Sequence, residues 1–584
     1  MDKEKDYAPA IPQTVPVTEG AEAFVALLTA NDVKYIFHNP GTDNMPVLEA
    51  VYKFKSQGRQ APELVLCLHE TLAMAAAHGY FMLTEKPQVV MVHVDGGTQQ
   101  VGAALHNAQR GMAGMLFCAG RTPWTFEGEK RGSIDIPIQF RQEQLDQAGI
   151  VRGFVKWNYE LRCNDNIHHV VQRAFQIANT EPHGPVYLIL PRELLMEKME
   201  SVKLLPREKY GPPVGPEANA SAIAQTARLL VDARNPLVIT HYLGRHHQTV
   251  APLVELAESL GVRVVSQGMR MNFPTNHPLF AGESSEPFQK DADVILIIDK
   301  QVPYVPLNFQ PSPDTKIIHI DIDPVKVDYP SWSFPADIRI QADSGQAVPA
   351  LGRAVQEILT ADDTTRCQAR FQRLQEEHEA KRAEWKAGAL AKAKQKPISA
   401  DWLAYCVAQA IDDNDIVVNE VLSNRAEVAH HLQRTQPGTL FRAGGSGLGW
   451  GLGFALGAKL AAPEKTIVCL TTDGSFIFGQ PIPALWAANN HNAPFLTVIF
   501  NNQEYNAVKR AIVRAYGKES YIAKVGNWQG VEFAPPDFAQ IARACGIQGE
   551  TVEDPQALPT AIAGALTQVR GGQSVVLDVR MEKQ

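Results

Sequence analysis

Short apolar runs alternate with amphipathic or alanine-rich stretches along most of this chain. The clearest repeat lies near the C-terminus, where an apolar run from Thr466 to Leu470 precedes a polar turn from Thr471 to Ser475. A helical stretch from Ala484 to Asn490 then leads to a second apolar run from Phe495 to Phe500. Branched apolar runs of this length are typical of strands buried on both faces of a parallel sheet. The pattern therefore predicts βαβ units and an α/β fold.

The same alternation extends over three regions, for which we predict three doubly wound parallel-sheet domains. A weak echo of the C-terminal unit, strand–Asp95-Gly96–helix–strand, suggests that the first and last domains share a topology. The middle region carries no Gly-x-Gly-x-x-Gly, so a tight nicotinamide or flavin site is not predicted there. The predicted divisions are a disordered tail (1–16), a first domain (17–197), a middle Rossmann-like domain (214–345), a charged linker helix (361–396) and a last domain (397–584).

Composition narrows the class of protein. The chain has 584 residues, of which 45% are hydrophobic and 20% charged, as in globular proteins. A net charge of −8 without a basic cluster argues against a nucleic-acid partner. No apolar run approaches the roughly 20 residues of a membrane span. Seven cysteines are scattered without disulfide or metal spacing, so we expect a cytoplasmic protein.

Polar residues follow both strands of the C-terminal unit, at the sheet edge where ligands bind. Asp473 offers a carboxylate, Asn502 an amide oxygen, and the backbone carbonyl at Glu504 a third oxygen. Oxygen ligands without His or Cys suit Mg²⁺, which keeps positions for water and phosphate. Gly474 lets backbone N–H groups approach a phosphate, and Ser475 adds a hydroxyl. The stretch predicts a metal-bridged diphosphate anchor; the alternative is an ordinary polar turn.

Spacing favours the first reading. Between Gly474 and Asn501 lie 26 residues, and the stretch resembles the Gly-Asp-Gly … Asn-Asn signature of thiamine diphosphate (ThDP) enzymes. Thr472 stands where that signature has its first glycine, so we expect an ordinary backbone conformation there. The resemblance implies pyrimidine-binding, middle and diphosphate-binding domains. It also implies that Glu70, between a strand end and a small-residue helix, activates the cofactor by bonding its aminopyrimidine.

Further motifs resemble the 2-oxo acid decarboxylase and acetolactate synthase superfamily, and benzoylformate decarboxylase most. Asn39-Pro40-Gly41-Thr42 matches its Asn-Pro-Gly-Ser, and HVDGGT from His93 matches its His-x-x-x-Gly-Thr. Gly447-Leu448-Gly449 matches the loop that bends the cofactor. The resemblance implies catalytic residues Glu70, His93, His38 and Thr42; metal ligands Asp473, Asn502 and Glu504; and cofactor contacts from Asn39, Pro40, Gly41, Glu70, Ser423, Gly447, Leu448, Gly474, Ser475, Asn502, Tyr505 and Asn506.

Several departures bear on the substrate. His38 stands where benzoylformate decarboxylase and acetolactate synthase both have a glycine. Benzoylformate decarboxylase has a second histidine in its middle domain, and residues 301–310 of this chain contain no counterpart. Ala511 stands where acetolactate synthase has a tryptophan, and the flavin-site glycine pattern is missing, so FAD is not expected. We therefore expect a substrate bulkier than pyruvate, with His38 and His93 able to move protons near neutral pH.

The resemblance implies a ThDP- and Mg²⁺-dependent enzyme acting on a C–C bond next to a carbonyl. The expected reaction is non-oxidative decarboxylation of a 2-oxo acid. Alternatives are a carboligase or lyase of the acetolactate synthase or acyloin type, and a ThDP-binding protein without activity, against which the intact Glu70 argues. In the family that the chain resembles, two facing subunits hold opposite ends of one cofactor, so the resemblance implies a homodimer or homotetramer.

Overall fold

A computed structural model describes residues 11–583 and contains three parallel sheets, each covered by helices on both faces. The predicted fold of three doubly wound domains is confirmed. A two-stranded antiparallel ribbon adds to the first domain. None of the helices within residues 11–583 is both long and apolar enough to cross a membrane.

The N-terminal domain is built on a six-stranded parallel sheet of order β3-β2-β4-β5-β7-β6. Its strands are β1 Gln13–Pro16, β2 Tyr35–Asn39, β3 Glu63–Leu66, β4 Gln88–Val92, β5 Met115–Arg121, β6 Trp157–Glu160, β7 Pro185–Pro191 and β8 Ser201–Leu204. Its helices are α1 Gly20–Ala30, α2 Met45–Ser56, α3 Glu70–Thr84, α4 Val94–Gln100, α5 Gly102–Arg110, α6 Ile138–Arg141, α7 Ile167–Asn179 and α8 Arg192–Leu195.

The middle domain has a five-stranded parallel sheet of order β10-β9-β11-β12-β13. Its strands are β9 Pro236–Thr240, β10 Arg263–Ser266, β11 Val294–Ile298, β12 Lys316–Asp321 and β13 Ile338–Gln341. Its helices are α9 Ala220–Asp232, α10 Val250–Leu260, α11 Glu286–Gln289 and α12 Ser344–Ile358, after which the long helix α13 Ala361–Ala391 leads to the last domain.

The C-terminal domain has a six-stranded parallel sheet of order β15-β14-β16-β17-β19-β18. Counted along the chain, this is the same order as in the N-terminal sheet, so the two outer domains share a topology. Its strands are β14 Ile416–Asn419, β15 Leu440–Phe441, β16 Ile467–Thr472, β17 Leu496–Asn501, β18 Gln548–Val552 and β19 Val575–Arg580. Its helices are α14 Ala400–Ala410, α15 Arg425–His431, α16 Trp450–Ala461, α17 Asp473–Phe478, α18 Pro481–Asn490, α19 Asn506–Tyr516, α20 Tyr521–Val525, α21 Phe538–Ala544 and α22 Leu558–Arg570.

Two local predictions are wrong. The predicted disordered tail (1–16) extends too far, because β1 pairs antiparallel with β8 and this pairing satisfies its backbone; residues 1–10 lie outside the described residues. The predicted turns at Asp473 and Asp95 are instead the first turns of α17 and α4. An acidic residue is favourable there because it faces the positive end of the helix dipole.

Small residues bring the two outer domains together. A Cβ on Gly457 of α16 would lie 1.8 Å from the Ala76 carbonyl oxygen of α3, and one on Gly79 would lie 2.2 Å from the Phe454 carbonyl oxygen. The backbones of α3 and α16 therefore touch directly. Glu70 is the first residue of α3 and Gly449 precedes α16, so this contact fixes two elements that carry predicted site residues.

Candidate cofactor-binding and active site

Asp473 lies where β16 passes into α17, at the carboxyl edge of the C-terminal sheet. Its side chain is 1% exposed and accepts hydrogen bonds from the N–H groups of Gly474 (2.7 Å) and Gln503 (2.6 Å). Burial raises the pKa of Asp473 to about 6, and the nearby carboxylates of Asp578 and Glu504 act in the same direction. A buried carboxylate beside like charges is a site that a divalent cation would stabilise.

Thr472 adopts the ordinary backbone conformation that we expected. Its φ is −106°, and its hydroxyl caps α17 by accepting the Ser475 N–H at 3.3 Å. The same hydroxyl donates to the Ser475 Oγ at 3.1 Å. A positive φ, which would favour glycine, is not needed here. Threonine therefore gains an N-cap where the family signature has a glycine.

The segment after β17 closes over this turn. Asn502 is buried, and its amide oxygen accepts the Glu504 N–H at 3.4 Å. The Glu504 carboxylate receives a hydrogen bond from Lys509 at 3.0 Å, so its side-chain charge is already balanced. The Tyr505 ring covers Gly474 so closely that a Cβ there would lie 2.7 Å from it. Asn506 begins α19 and is buried.

Glu420, which sequence reasoning did not assign, holds the loop that contains Gly447 and Leu448. Its buried carboxylate accepts the N–H groups of Gly449 (2.5 Å), Trp450 (3.2 Å) and Gly451 (3.1 Å) at the start of α16. Burial raises the pKa of Glu420 to about 7, and these N–H groups partly offset the effect. Its position directly after β14 was the available signal, because polar residues at that edge meet ligands or helix ends.

Ser423 lies three residues after Glu420, and its carbonyl accepts a hydrogen bond from Arg510 at 2.9 Å. The Gly447 loop is tied to the N-terminal domain as well. Asn107 of α5 donates to the Gly447 carbonyl at 2.8 Å and accepts the Gly447 N–H at 2.9 Å. The Gly447 loop therefore lies against the N-terminal domain, whereas the Ser423 contact is made within the C-terminal domain.

Glu70 forms the first turn of α3, after a sharp bend in which Leu68 has a φ of +56°. Its side chain is 8% exposed. A Cβ on Gly97 would lie 3.2 Å from the Glu70 Oε1, so the glycine leaves room beside the carboxyl group. Glu70 is therefore largely shielded from solvent.

His93 pairs with Asp43, a second residue that sequence reasoning missed. The His93 Nδ1 makes a short hydrogen bond with the buried Asp43 carboxylate. This bond raises the pKa of His93 above 6.5 against the opposing effect of burial, and Asp95 adds to the rise. Gly41 and Gly120 leave the room this pair needs, since a Cβ on either would lie within 2 Å of His93 or Asp43. Asp43 directly follows the Asn-Pro-Gly-Thr motif, which was the available signal.

His38 differs from the expectation that it titrates near neutral pH. Its side chain is buried on β2, and its Nδ1 has no hydrogen-bond partner among the described residues. Burial lowers the pKa of His38 to about 4, and nearby His491 acts in the same direction. The imidazole is therefore neutral at pH 7.

The Asn39–Thr42 turn is open to solvent. Pro40 and Thr42 are exposed, and the Gly41 N–H donates to the Asn44 side chain at 3.1 Å. The turn lies beside His93 through the close approach of Gly41. Both follow neighbouring strands, β2 and β4, at the point where the strand order reverses.

The predicted residues thus form two groups. Within residues 11–583, no hydrogen bond or ion pair joins Glu70 or His93 to Asp473 or Asn502. Each group lies at the carboxyl edge of its own sheet, and His93 and Asp473 follow equivalent strands, β4 and β16. The C-terminal group suits a hydrated cation and a diphosphate, and the N-terminal group offers a dry carboxyl and a histidine.

Three parallel-sheet domains, the last with a buried carboxylate at its carboxyl edge, agree with the ThDP-binding class of proteins. All three domains match models of thiamine pyrophosphate enzymes: the N-terminal TPP binding domain over 18–150, the central domain over 223–351 and the C-terminal TPP binding domain over 423–579. The chain belongs to the thiamine pyrophosphate enzyme family, within its decarboxylase and acetolactate synthase branch.

Its similarity to named relatives extends over nearly its whole length. The chain is 25% identical to acetolactate synthase isozyme 3 large subunit of Escherichia coli (strain K12), covering 96% of this chain and 95% of the relative. It is 24% identical to benzoylformate decarboxylase of Pseudomonas aeruginosa, over 92% and 95%. Among solved structures, the 4-hydroxybenzoylformate decarboxylase of Rhodococcus jostii RHA1 superposes with a TM-score of 0.77 at 22% identity, over 97% and 99%.

Proposed function

We propose that the protein catalyses the non-oxidative decarboxylation of a 2-oxo acid, using ThDP and Mg²⁺. The observation that carries the proposal is the buried Asp473 carboxylate at the carboxyl edge of the C-terminal sheet, near the carboxylates of Asp578 and Glu504, an arrangement that a divalent cation would stabilise. When bound, ThDP supplies a nucleophilic carbon and an electron sink for the bond that breaks. The remaining chemistry falls to the protein's own side chains.

The C-terminal group holds the cofactor's diphosphate end. Asp473, Asn502 and the Glu504 carbonyl bind Mg²⁺, because all three offer hard oxygen atoms. The Glu504 side chain is left out, since Lys509 already balances its charge. The residues that contact the diphosphate or shape the cofactor are Ser423, Gly447, Leu448, Gly474, Ser475, Tyr505 and Asn506.

The N-terminal group holds the other end of the cofactor and the substrate. Glu70 would form a hydrogen bond with the aminopyrimidine of the cofactor, and the Asn39–Gly41 turn would pack beside that ring. The exposed Thr42 hydroxyl donates to the substrate carboxylate. The Nε2 of His93 moves a proton to or from the reacting carbon, since its Nδ1 is held by Asp43. His38 contributes as a neutral hydrogen-bonding group, because its pKa of about 4 prevents a proton shuttle near pH 7.

Carboligation is the second candidate, in which a second carbonyl compound captures the fragment that remains after CO₂ leaves. The observation in its favour is the full-length similarity to acetolactate synthases. The exposed Ala511 supports a pocket wide enough for a substrate larger than pyruvate, or for two substrates.

We also propose a homodimer, or a homotetramer formed by two dimers, in which each site combines the two groups from different chains. Apolar side chains are exposed beside both groups: Leu68 is 44% exposed near Glu70, and Phe478 is 52% exposed at the end of α17. A second copy would cover these side chains. A cytoplasmic location fits the seven free cysteines.

The test is product analysis of the purified protein loaded with ThDP and Mg²⁺. A panel of 2-oxo acids with aliphatic and aromatic side chains is incubated with and without an acceptor aldehyde. Aldehyde release in both conditions supports decarboxylation, and a hydroxyketone formed only with acceptor supports carboligation. Full cofactor loading with neither product would contradict both reactions.

A further inference from the structure

The middle domain contains a polar cavity that the proposed function does not use. Its volume is about 390 Å³, and it lies where β9, β10 and β11 end in His241, Gln267 and Lys300. Gly444 of the C-terminal domain also lines it. The order of this sheet reverses between β9 and β11, and ligands of open α/β sheets bind at such points.

Lys300 is a buried cation in this cavity without a counter-ion. Its side chain is 4% exposed, and its ammonium donates to the Gln267 side chain. Within residues 11–583, no carboxylate oxygen lies within 4 Å of it. Glu286 lines the rim of the same cavity, but it is exposed and accepts from Asn308 at 2.6 Å. A buried ammonium without a paired charge is unfavourable and is a frequent mark of a functional site.

Two other residues that line the cavity carry buried polar atoms without hydrogen-bond partners. The Gln289 Oε1 and the His241 Nδ1 are buried and accept or donate no hydrogen bond in the part of the chain that the structure describes. Gln289 uses its Nε2 to donate to Ser285 at 3.0 Å. Both residues line the cavity, so they add polar side chains to its wall beside Lys300.

The cavity adjoins a larger one of about 630 Å³, with which it shares the lining residues Gln267 and Ser284. The larger cavity extends to Ser423 and Arg510 of the C-terminal domain. A ligand in the Lys300 cavity would therefore lie next to the larger cavity. That larger cavity is lined by Ser423, which belongs to a loop that we assign to the cofactor.

We propose that the Lys300 cavity is a binding site for a small-molecule oxyanion, a carboxylate or phosphate group, with Lys300 as its counter-ion. The side chains of Gln289 and His241 line the same cavity and supply its further polar wall beside Lys300. The oxyanion is either an acidic group at the far end of the substrate or part of a free effector.

Proton linkage provides an independent property of this site. Burial lowers the pKa of Lys300 to about 7, and Arg425 acts in the same direction. The other titratable groups that line the cavity are His241, Tyr304 and the rim carboxylate of Glu286. A bound anion favours the charged ammonium, so binding is strongest below pH 7 and weakens as pH rises and the free lysine loses its proton.

Isothermal titration of sulfate into the ThDP- and Mg²⁺-loaded protein tests the site without turnover, with the diphosphate anchor occupied. Sulfate keeps its charge across the range, so a weaker affinity at pH 8.5 than at pH 6.5 reports on the protein. We expect Lys300→Met to bind sulfate about 10–100-fold more weakly, because a charge-assisted bond is lost. The matched control, Lys290→Met, removes an exposed lysine of the same domain and should bind like the wild type.

The melting temperature separates this role from a structural one. If Lys300 serves the fold, Lys300→Met lowers it; if Lys300 serves a ligand, the apolar replacement leaves it unchanged or raises it. Sulfate binding that is absent in the wild type, or unchanged in Lys300→Met, overturns the proposal. These readouts do not depend on activity, so a failure of the proposed reaction remains distinguishable.

Two kinetic arms identify the source of the oxyanion. If it belongs to the substrate, the wild type prefers 2-oxoglutarate to 2-oxopentanoate in kcat/KM, sulfate competes, and Lys300→Met loses the preference. If it belongs to an effector, sulfate changes the turnover of monoanionic substrates without competing with them, and Lys300→Met abolishes that response.

Discussion

At the residue scale, both the proposed active site and the Lys300 cavity contain titratable side chains whose charged form is disfavoured by burial. Asp473 and Lys300 are both buried, and burial shifts the pKa of each towards its neutral form. His93 is the opposite case, since its bond to Asp43 favours its charged form. Each of these side chains therefore makes its own prediction about pH, stability or turnover.

Asp473→Asn should stabilise the protein without cofactor and abolish its response to cofactor. The folded pKa of Asp473 is about 6, above its usual 3.8, so its ionisation costs stability. The cost is absent below pH 3.8 and complete above pH 6, where it amounts to about 3 kcal/mol. Calorimetry at pH 7.5 should give a higher melting temperature for the cofactor-free variant. A variant that still gains stability from Mg²⁺ and ThDP would contradict the metal assignment.

His93→Ala should lower turnover by about 10²–10⁴-fold, the usual contribution of a positioned acid or base. Cofactor content should stay at the wild-type level, because the diphosphate anchor lies in another domain. His169→Ala, which removes an exposed histidine of α7, is the matched control. Turnover within a few-fold of the wild type would return His93 to a structural role.

Asp43→Asn tests the pair rather than the histidine alone. Without the carboxylate the pKa of His93 should fall, so the limb of the kcat/KM profile that belongs to His93 should move to lower pH. A purely structural role of Asp43 would lower the rate without moving that limb. The measurement is the pH dependence of kcat/KM for both proteins.

At the scale of single elements, the contact between α3 and α16 depends on glycine. Gly457→Ala places a Cβ against the Ala76 carbonyl, which cannot move aside without shifting α3. We expect a loss of stability at the upper end of the roughly 1–3 kcal/mol typical of overpacking. Gly564→Ala in α22 is the matched control, because nothing lies within 4 Å of its new Cβ.

That control should gain about 0.4–1 kcal/mol, since alanine lowers the entropy of the unfolded chain. Melting temperatures of the two variants are therefore expected to move in opposite directions. Equal effects would mean that the helices separate easily at this contact.

The sequence predicted buried elements well and short or exposed ones poorly. The apolar runs 466–470 and 495–500 correspond to β16 and β17 to within two residues, because both strands are buried over nearly their whole length. The edge strand Ile338–Gln341 was missed, since its alternating exposure gives only two apolar positions. The six-residue helix α17 was taken for a turn, because its capping residues are also turn formers.

The site divides along a similar line. Residues in local motifs, such as Asp473 and Asn39–Thr42, could be assigned from their neighbours in the chain. Asp43 and Lys300 could not be assigned in this way. Asp43 matters through His93, 50 residues further along the chain. Lys300 matters because no carboxylate of the described residues pairs with it. Burial also set the pKa of His38, which a sequence gives no means to calculate.

At the scale of the whole molecule, the proposed site predicts that two chains assemble to bring the two groups of residues together. We expect the site to combine Glu70 of one chain with Asp473 of another. The test is to mix Glu70→Ala and Asp473→Ala chains, each inactive alone and checked for folding by its melting temperature. Random mixing makes about half of the dimers hybrids, and each hybrid has one site with both residues intact and one site that lacks both. About a quarter of wild-type activity should therefore return.

Activity that stays absent after subunits exchange would place both groups in one chain. Light scattering supplies the companion measurement. A fully active monomer would contradict the assembly outright.

The shared strand order of the outer domains also has an evolutionary meaning. Two sheets with one topology in a single chain are what the duplication of an ancestral domain leaves behind. In that view the two descendants kept the same binding edge and divided its tasks. One copy acquired acidic residues and became the anchor, while the other acquired Glu70 and His93 and became the chemical partner. On this hypothesis, the ancestral enzyme was a symmetric dimer of one small domain, with a single cofactor bound between the two copies.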